Sequence, residues 1–292
     1  EMYANPLTQR NLRILAELGW TIMEPEEGRL ASGLMGKGRL PEPVKIVEKA
    51  LELLGAAGPG AADGGSAKTA AAHARDLAGR RVLVTAGTTW EPFDPVRFIG
   101  NRSTGKMGYA VAAAAAARGA EVVLVHGPTS LEPPAGVRAV AVESCQQMLE
   151  ACLREFPGCD IAVAAAAPAD YRPATVASEK IKKERDELTI TLVKNPDIIA
   201  ELGRRKRPGQ VTVAFAAETE NLVASARQKL VSKNADFVVA NDVTQEGAGF
   251  GTETNRVTFV FPDGLEELPL MSKREVADRI LDRAAALLGA RS

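Results

Sequence analysis

The chain has 292 residues, with 36 Lys and Arg against 37 Asp and Glu and a formal net charge of −1. A balance this even excludes affinity resting on bulk attraction to nucleic acid or to an anionic membrane, although it leaves room for a local basic site. No window approaches 18 consecutive apolar residues, and the start EMYANPLTQR lacks a basic n-region and an apolar h-region, so a soluble cytoplasmic chain is expected.

In chain order, the first boundary is compositional. Residues 55–66 read GAAGPGAADGGS, five Gly, four Ala and one Pro without a periodic apolar residue, which is the composition of a flexible linker. The expected division is residues 1–54 as one domain, 55–79 as linker and 80–292 as a second domain. From Arg81 onward, short apolar runs alternate with helical patterns. The predicted strands are Arg81–Ala86, Glu121–His126, Val137–Val142, Asp160–Ala166, Leu188–Val193, Val211–Ala216 and Asp236–Ala240. Between or after them fall predicted helices at Lys106–Arg118, Cys145–Phe156, Pro196–Lys206, Leu222–Lys233 and Lys273–Leu288. Near-continuous apolar strands alternating with helices imply an α/β fold, a doubly wound, mostly parallel, Rossmann-like sheet covered on both faces. A late hairpin, Arg256–Phe261 turning through Pro262-Asp263-Gly264, adds an antiparallel edge.

Cysteine and histidine narrow the chemistry. Cys145, Cys152 and Cys159 form no CxxC pair and read as small buried hydrophobes in a reducing compartment. His73 and His126 are the only histidines, so an HExxH metal site is excluded and a Ser-His-Asp triad has few candidates.

A doubly wound sheet invites a dinucleotide reading. The turn after the first strand, Gly87–Pro95 (GTTWEPFDP), lacks GxGxxG, and the second strand ends in His126-Gly127-Pro128 without an acid for the ribose. An NAD(P)-dependent reductase is therefore a minor alternative. Gly100–Met107 (GNRSTGKM) matches GxxxxGK, but Met107 stands where a magnesium-binding hydroxyl belongs and the segment lies too far from its strand for a P-loop. What remains is a helix start at Ser103, Thr104, Gly105 and Lys106, whose free N–H groups and positive end favour a phosphate or carboxylate; a capped surface helix start is the bland reading.

Other segments point to the same edge of the sheet. The small residues Ala164, Ala165 and Ala166 leave room for a ligand or serve tight packing, and both readings stand. Asp170, followed by Lys180, Lys182 and Lys183, can hold a magnesium nucleotide and offset charge, against the ordinary reading of a solvated charged face. Asn195, Pro196, Asp197 and Ile198 read as a helix start, with Asn195 as cap and Pro196 in the first helical position. Phe215 ends a strand, and Lys229 and Lys233 share a helix face at i, i+4 spacing.

Taken in order, Val84–Gly108 (VTAGTTWEPFDPVRFIGNRSTGKMG), Ala165–Pro173 (AAAPADYRP), Glu179–Lys183 (EKIKK), Val193–Ile198 (VKNPDI), FAAET at Phe215 and Ala240–Val243 (ANDV) resemble phosphopantothenate-cysteine ligase, the ligase half of the bacterial bifunctional coenzyme A biosynthesis protein. The resemblance implies that the carboxylate of 4′-phosphopantothenate attacks the α-phosphate of CTP with Mg2+, and that L-cysteine then displaces CMP from the acyl-cytidylate. It assigns Lys180 to the first half-reaction, Asn101 to holding the acyl-nucleotide and Arg97 to the second step. Ala164–Ala166, Asp170, Lys180, Asn195–Ile198, Phe215, Lys229 and Lys233 become nucleotide-binding positions, and Asp170 keeps the magnesium role read above from its place beside the lysines. The EKIKK region implies a homodimer whose protomers complete one another's sites.

Residues 1–54 resemble the tail of the flavin-dependent phosphopantothenoylcysteine decarboxylase, on Asn5-Pro6, Thr8 to Asn11, Leu30 to Gly33 and Gly36 to Arg39. Ser32 stands where that family has cysteine, and the flavin-binding strands with their catalytic histidine are missing from the sequence. Neither decarboxylation nor FMN binding, a property of the full-length family protein, is expected of this chain. A non-catalytic nucleotide-binding module is the third alternative.

Overall fold

The computed structural model describes residues 3, 5–18, 20–29, 35–46, 49, 53, 75–182, 186–218, 221–242, 249 and 251–290. Ser32, residues 55–74 of the expected linker, and Lys183, Thr219 and Val243 of the quoted motifs lie outside them. The chain divides into two compact units, Glu1–Ala70 and Ala71–Ser292. In the first, α1 (Pro6–Glu17) starts where Asn5 accepts a hydrogen bond from the Leu7 amide and Pro6 occupies the first turn. Asn11 is exposed on this helix. An antiparallel pair follows, β1 (Glu26–Arg29) and β2 (Met35–Arg39).

The second unit is built on one sheet. Its strands in chain order are β3 (Arg81–Ala86), β4 (Glu121–His126), β5 (Arg138–Ala141), β6 (Ile161–Ala164), β7 (Val211–Glu218), β8 (Phe237–Asp242), β9 (Val257–Val260) and β10 (Leu265–Glu267). They lie in the order β10-β9-β8-β7-β6-β3-β4-β5. The six from β8 to β5 are parallel, and β9 and β10 close one edge as the expected antiparallel hairpin. The chain winds outward from β3 through β4 and β5, then returns to the other side of β3 and winds through β6, β7 and β8. The order reverses between β3 and β6, which makes their carboxyl ends the switch point where open α/β sheets bind ligands.

Strand periodicity sorts the core into two layers. Val82, Val84, Val122, Leu124, Ile161, Val163, Val213, Phe237 and Val239 point to one face, against α2 (Lys106–Ala117) and α6 (Lys273–Gly289). The intervening residues Leu83, Val123, Ala162, Ala214 and Val238 point to the other, covered by α3 (Cys145–Glu155), α4 (Ile198–Arg205) and α5 (Leu222–Ser232). The alanine run lets α2 lie close to the sheet. A Cβ on Gly108 would come within 2.7 Å of the Thr85 carbonyl and 2.5 Å of the Ala86 Cβ.

Three expectations need correction. The Leu188–Val193 strand is absent from the main sheet: Leu192–Lys194 pairs only with Tyr171–Pro173, and Leu188, Leu192 and Val193 stay exposed, so that apolar run serves no core. The strand expected to reach Ala166 stops at Ala164, because the Ala166, Ala167 and Ala169 amides turn to Thr85 Oγ1, the Gly87 carbonyl and Thr89 Oγ1. Residues 75–79, expected as linker, form a turn that is part of the second unit: Leu77 is buried, and Asp76 and Asp282 pair with the buried Arg118.

Candidate active site

A cleft of about 770 Å³ opens at the switch point. Its floor is Thr85 at the end of β3, residues 164–169 after β6 and residues 214–217 at the end of β7. Five separate stretches of the sequence singled out above converge on it. Asn101, Ser103–Lys106, Ala164–Ala166, Asp170, Asn195–Ile198, Phe215, Lys229 and Lys233 all line it.

The floor is held by buried hydroxyls. Besides the bonds of Thr85 and Thr89, Thr88 Oγ1 accepts from the Asn101 amide at 3.0 Å. The Asn101 side chain donates to the Ala167 carbonyl at 3.2 Å and the Pro168 carbonyl at 3.0 Å, so both amide hydrogens are committed and the oxygen is what remains to offer. Nothing in the sequence singles out Thr85, Thr88 and Thr89 beyond their position at or just after a strand end.

At the start of α2, Gly105 is the N-cap with φ 86°, a left-handed conformation glycine adopts without strain, and no side chain caps the helix. The bland reading of a capped start is therefore wrong, and the helix presents its N-terminal amides to the cleft wall. Lys106 reaches Glu253 Oε1 at 2.6 Å and the Gly251 carbonyl at 2.8 Å. Glu253 titrates below the ordinary range because of that bond and charge.

The KNPDI segment differs from expectation. Asp197, not Asn195, caps α4 by accepting from the Ala200 amide at 3.0 Å, and Pro196 lies outside the helix. Asn195 is instead buried, donating to the Ala169 carbonyl at 2.8 Å and accepting from Arg172 at 3.1 Å. Capping propensity alone does not separate Asn from Asp two residues apart; the burial of Asn195 decides it. Asp197 also accepts from Lys233.

Lys180 and Arg97 are not in the cleft wall. Lys180 is exposed on the loop after Tyr171–Pro173, and Arg97 holds that loop: its guanidinium donates to Asp94 and, at 3.0 Å, to the Ile181 carbonyl. Asp94, a residue the sequence reading missed, is 1% exposed. Its bond from Arg97, with backbone N–H donors from Val96, Ile181 and Arg97, keeps the carboxyl well below the usual aspartate range. The three cysteines are buried as expected, and burial pushes their thiols up to about 12, 12 and 11.

A doubly wound sheet with small residues at its switch point and lysines from both faces defines an α/β domain of the nucleotide- or phosphate-ligand class. Residues 77–288 match the family described as DNA/pantothenate metabolism flavoprotein C-terminal domain, and the chain belongs to that family. Residues 1–55 match the Flavoprotein family. The coenzyme A biosynthesis bifunctional protein CoaBC of Bacillus subtilis is 45% identical over 98% of this chain and 67% of its own length. A cysteine/cysteine sulfinic acid decarboxylase of an unknown prokaryotic organism is 44% identical over 99% of this chain and 77% of its own. The crystal structure of a CoaBC C-terminal domain superposes with a TM-score of 0.64 at 44% identity, covering 74% of this chain and 99% of that one. No helix among the described residues is long and apolar enough to cross a membrane.

Proposed function

We propose that the second unit is a phosphopantothenate-cysteine ligase of coenzyme A biosynthesis that activates its carboxylate with CTP. The observation that supports this reading is the convergence of those five stretches on one cleft. In the first step a carboxylate oxygen of 4′-phosphopantothenate attacks the α-phosphorus, the bond to the β-phosphate bridge breaks, and pyrophosphate leaves. In the second the cysteine amine attacks the acyl carbon, loses a proton, and CMP leaves with the former carboxylate oxygen. Activation is required because oxide is a poor leaving group.

Residues 164–167 and Asn195–Ile198 flank the nucleotide, Phe215 offers an apolar wall, and Lys229 and Lys233 take the triphosphate. Asp170 supplies one carboxylate toward Mg2+. That suits an ion which keeps water and phosphate oxygens as most of its shell, and no group of three or more metal-ligating side chains gathers among the described residues. Asn101 holds the acyl-nucleotide.

Lys180, required for the first step, reaches the cleft of a second copy of the chain. The support is local: Val96, Phe98, Tyr171, Val176, Leu192 and Val193 are exposed apolar residues on or beside two adjoining two-stranded ribbons, Glu91–Pro92 with Phe98–Ile99 and Tyr171–Pro173 with Leu192–Lys194, which carry Arg97 and the Lys180 loop. A homodimer through these ribbons covers them and brings each Lys180 to the partner's nucleotide. The test is pyrophosphate release from CTP that depends on 4′-phosphopantothenate, followed by CMP release that depends on cysteine. No release above background in either stage overturns the reading.

A further inference from the structure

Cysteine enters the proposed second step through its amine, while its α-carboxylate takes no part in the chemistry and carries a full negative charge beside it. The two groups share one carbon. A seat for such a molecule therefore needs a hydrogen-bond acceptor for the amine and, next to it, a cation for the carboxylate.

Most cations of the cleft are already engaged. Lys106, the first residue of α2, donates to Glu253 Oε1 at 2.6 Å and to the Gly251 carbonyl at 2.8 Å. Lys233 donates to Asp197. Lys273, the first residue of α6, is 6% exposed and donates to the Gly249 carbonyl at 3.2 Å and to the Thr252 carbonyl. Lys229 is engaged as well. Arg102 and Lys194 also line the cleft, and neither side chain meets an ion-pair or hydrogen-bond partner among the described residues. Lys194 adjoins Asn195, whose amide donates to the Asp170 carbonyl at 2.8 Å, so it belongs to the side given to the nucleotide. Arg102 is the cation that remains.

Its neighbour supplies the acceptor. Asn101 is held by three hydrogen bonds, from its backbone amide to Thr88 Oγ1 and from its side-chain nitrogen to the Ala167 and Pro168 carbonyls. That grip fixes Asn101 Oδ1 as an acceptor in the cleft wall, and both residues are exposed to the cleft. A solvated surface arginine is the ordinary case. Arg102 differs in standing in the wall of a cleft, directly after a residue fixed at backbone and side chain, with no acid to neutralise it.

We infer that Asn101 and Arg102 form the seat of the α-amino acid: Asn101 Oδ1 accepts from the amine, and the Arg102 guanidinium takes the α-carboxylate through its paired N–H donors. The identity of the ligand rests on the ligase reading. The amine nitrogen bonds to the acyl carbon, the acyl carbon–oxygen bond breaks with its electron pair going to CMP, and one amine proton passes to solvent. An oxygen with two lone pairs serves the amine beside any contact to the acyl-nucleotide. Acyl transfer itself needs no carboxylate on the amine, so Arg102 sets specificity rather than reactivity.

The test follows the two half-reactions separately in the intact chain and in Arg102→Met, Arg102→Lys and Arg102→Glu. The amine offered is L-cysteine or L-cysteinamide, whose uncharged amide replaces the carboxylate. The readout is the ratio of kcat/KM for the two amines, in which their intrinsic reactivities cancel between variants. Arg102→Met is expected to lower the ratio about tenfold by raising KM for L-cysteine, the scale of one charge-assisted contact. Arg102→Glu lowers it further by repelling the carboxylate, which loss of a merely structural arginine would not do, and Arg102→Lys keeps part of it. Pyrophosphate release without any amine, and the KM values of CTP and 4′-phosphopantothenate, stay at the wild-type level in all three. A ratio unchanged by Arg102→Met and Arg102→Glu, or a KM for CTP or 4′-phosphopantothenate raised in step with it, overturns the inference. Pyrophosphate release with an unchanged ratio sinks the seat alone; a wild-type chain that releases no pyrophosphate sinks the ligase reading, and the seat falls with it.

Discussion

The Asp94 carboxylate accepts from the Ile181 amide at 3.2 Å, while Arg97, bound to the same carboxylate, donates to the Ile181 carbonyl at 3.0 Å. One peptide is gripped through its N–H and its neighbour through its C=O, and the residue before them is Lys180. Arg97 therefore holds this loop in place, and Asp94 holds Arg97. Asp94→Asn is expected to lower the rate of pyrophosphate release with little change in KM for CTP, because Lys180 is misplaced while the cleft is intact. The carboxyl titrates below the unfolded aspartate range, so the stability it contributes is complete above that range and is lost as pH falls through and below it. The gap in melting temperature between wild type and Asp94→Asn should be widest near neutrality and shrink on acidification below about pH 4.

If Lys180 offsets charge at the α-phosphate as proposed, Lys180→Gln should reduce pyrophosphate release by about 10²–10³ fold, the scale seen when one preorganised charge-stabilising group is lost. The same change leaves the cleft untouched, so binding of CTP by calorimetry should weaken far less than turnover. Wild-type release from this variant disproves the assigned role.

If each site takes Asn101 from one protomer and Lys180 from the other, two inactive variants complement. Co-expressed Lys180→Gln and Asn101→Asp chains pair at random, half the dimers are mixed, and one of the two sites in each mixed dimer is intact. Activity should return to about a quarter of wild type, whereas sites built within single chains give none. Alone, Asn101→Asp should form the acyl-nucleotide and mishandle it, because a carboxylate cannot donate to the Ala167 and Pro168 carbonyls. Release of pyrophosphate without matching amide product is the expected signature.

The sheet was legible because its strands are short β-branched runs whose alternate residues all meet a helix layer, so composition and periodicity point the same way. The hairpin was legible from Pro262-Asp263-Gly264. The Leu188–Val193 run carries the same composition, and only its exposure, a property of the assembled ribbon, shows that it is no core strand. The site followed a similar division. Residues at strand ends and helix starts announced themselves through Ala164–Ala166 or Asp197. Asp94 and Lys273 did not, since an acid is ordinary in a turn and a lysine is ordinary on a helix. Their significance comes from burial against Ile181, 87 residues away, and Thr252, 21 residues away.

The three cysteines give a test of the core independent of catalysis. Cys145 and Cys152 sit on the inner side of α3 and Cys159 precedes β6, all within the layer that covers the α3–α4 face. Only thiolate reacts with disulfide reagents, and thiols pushed up to about 11 and 12 hold almost none of it at pH 8. Native protein should therefore react with an aromatic disulfide at a rate set by opening of this layer, while all three thiols titrate promptly in denaturant. CTP bound as proposed contacts α4 and α5 from the cleft side, so saturating CTP should slow the native reaction further, since a ligand bound only to the closed state lowers the open population. A thiol that titrates at once in the native protein would show that the α3 packing is wrong; slow reaction that CTP leaves unchanged would place the nucleotide away from α4 and α5.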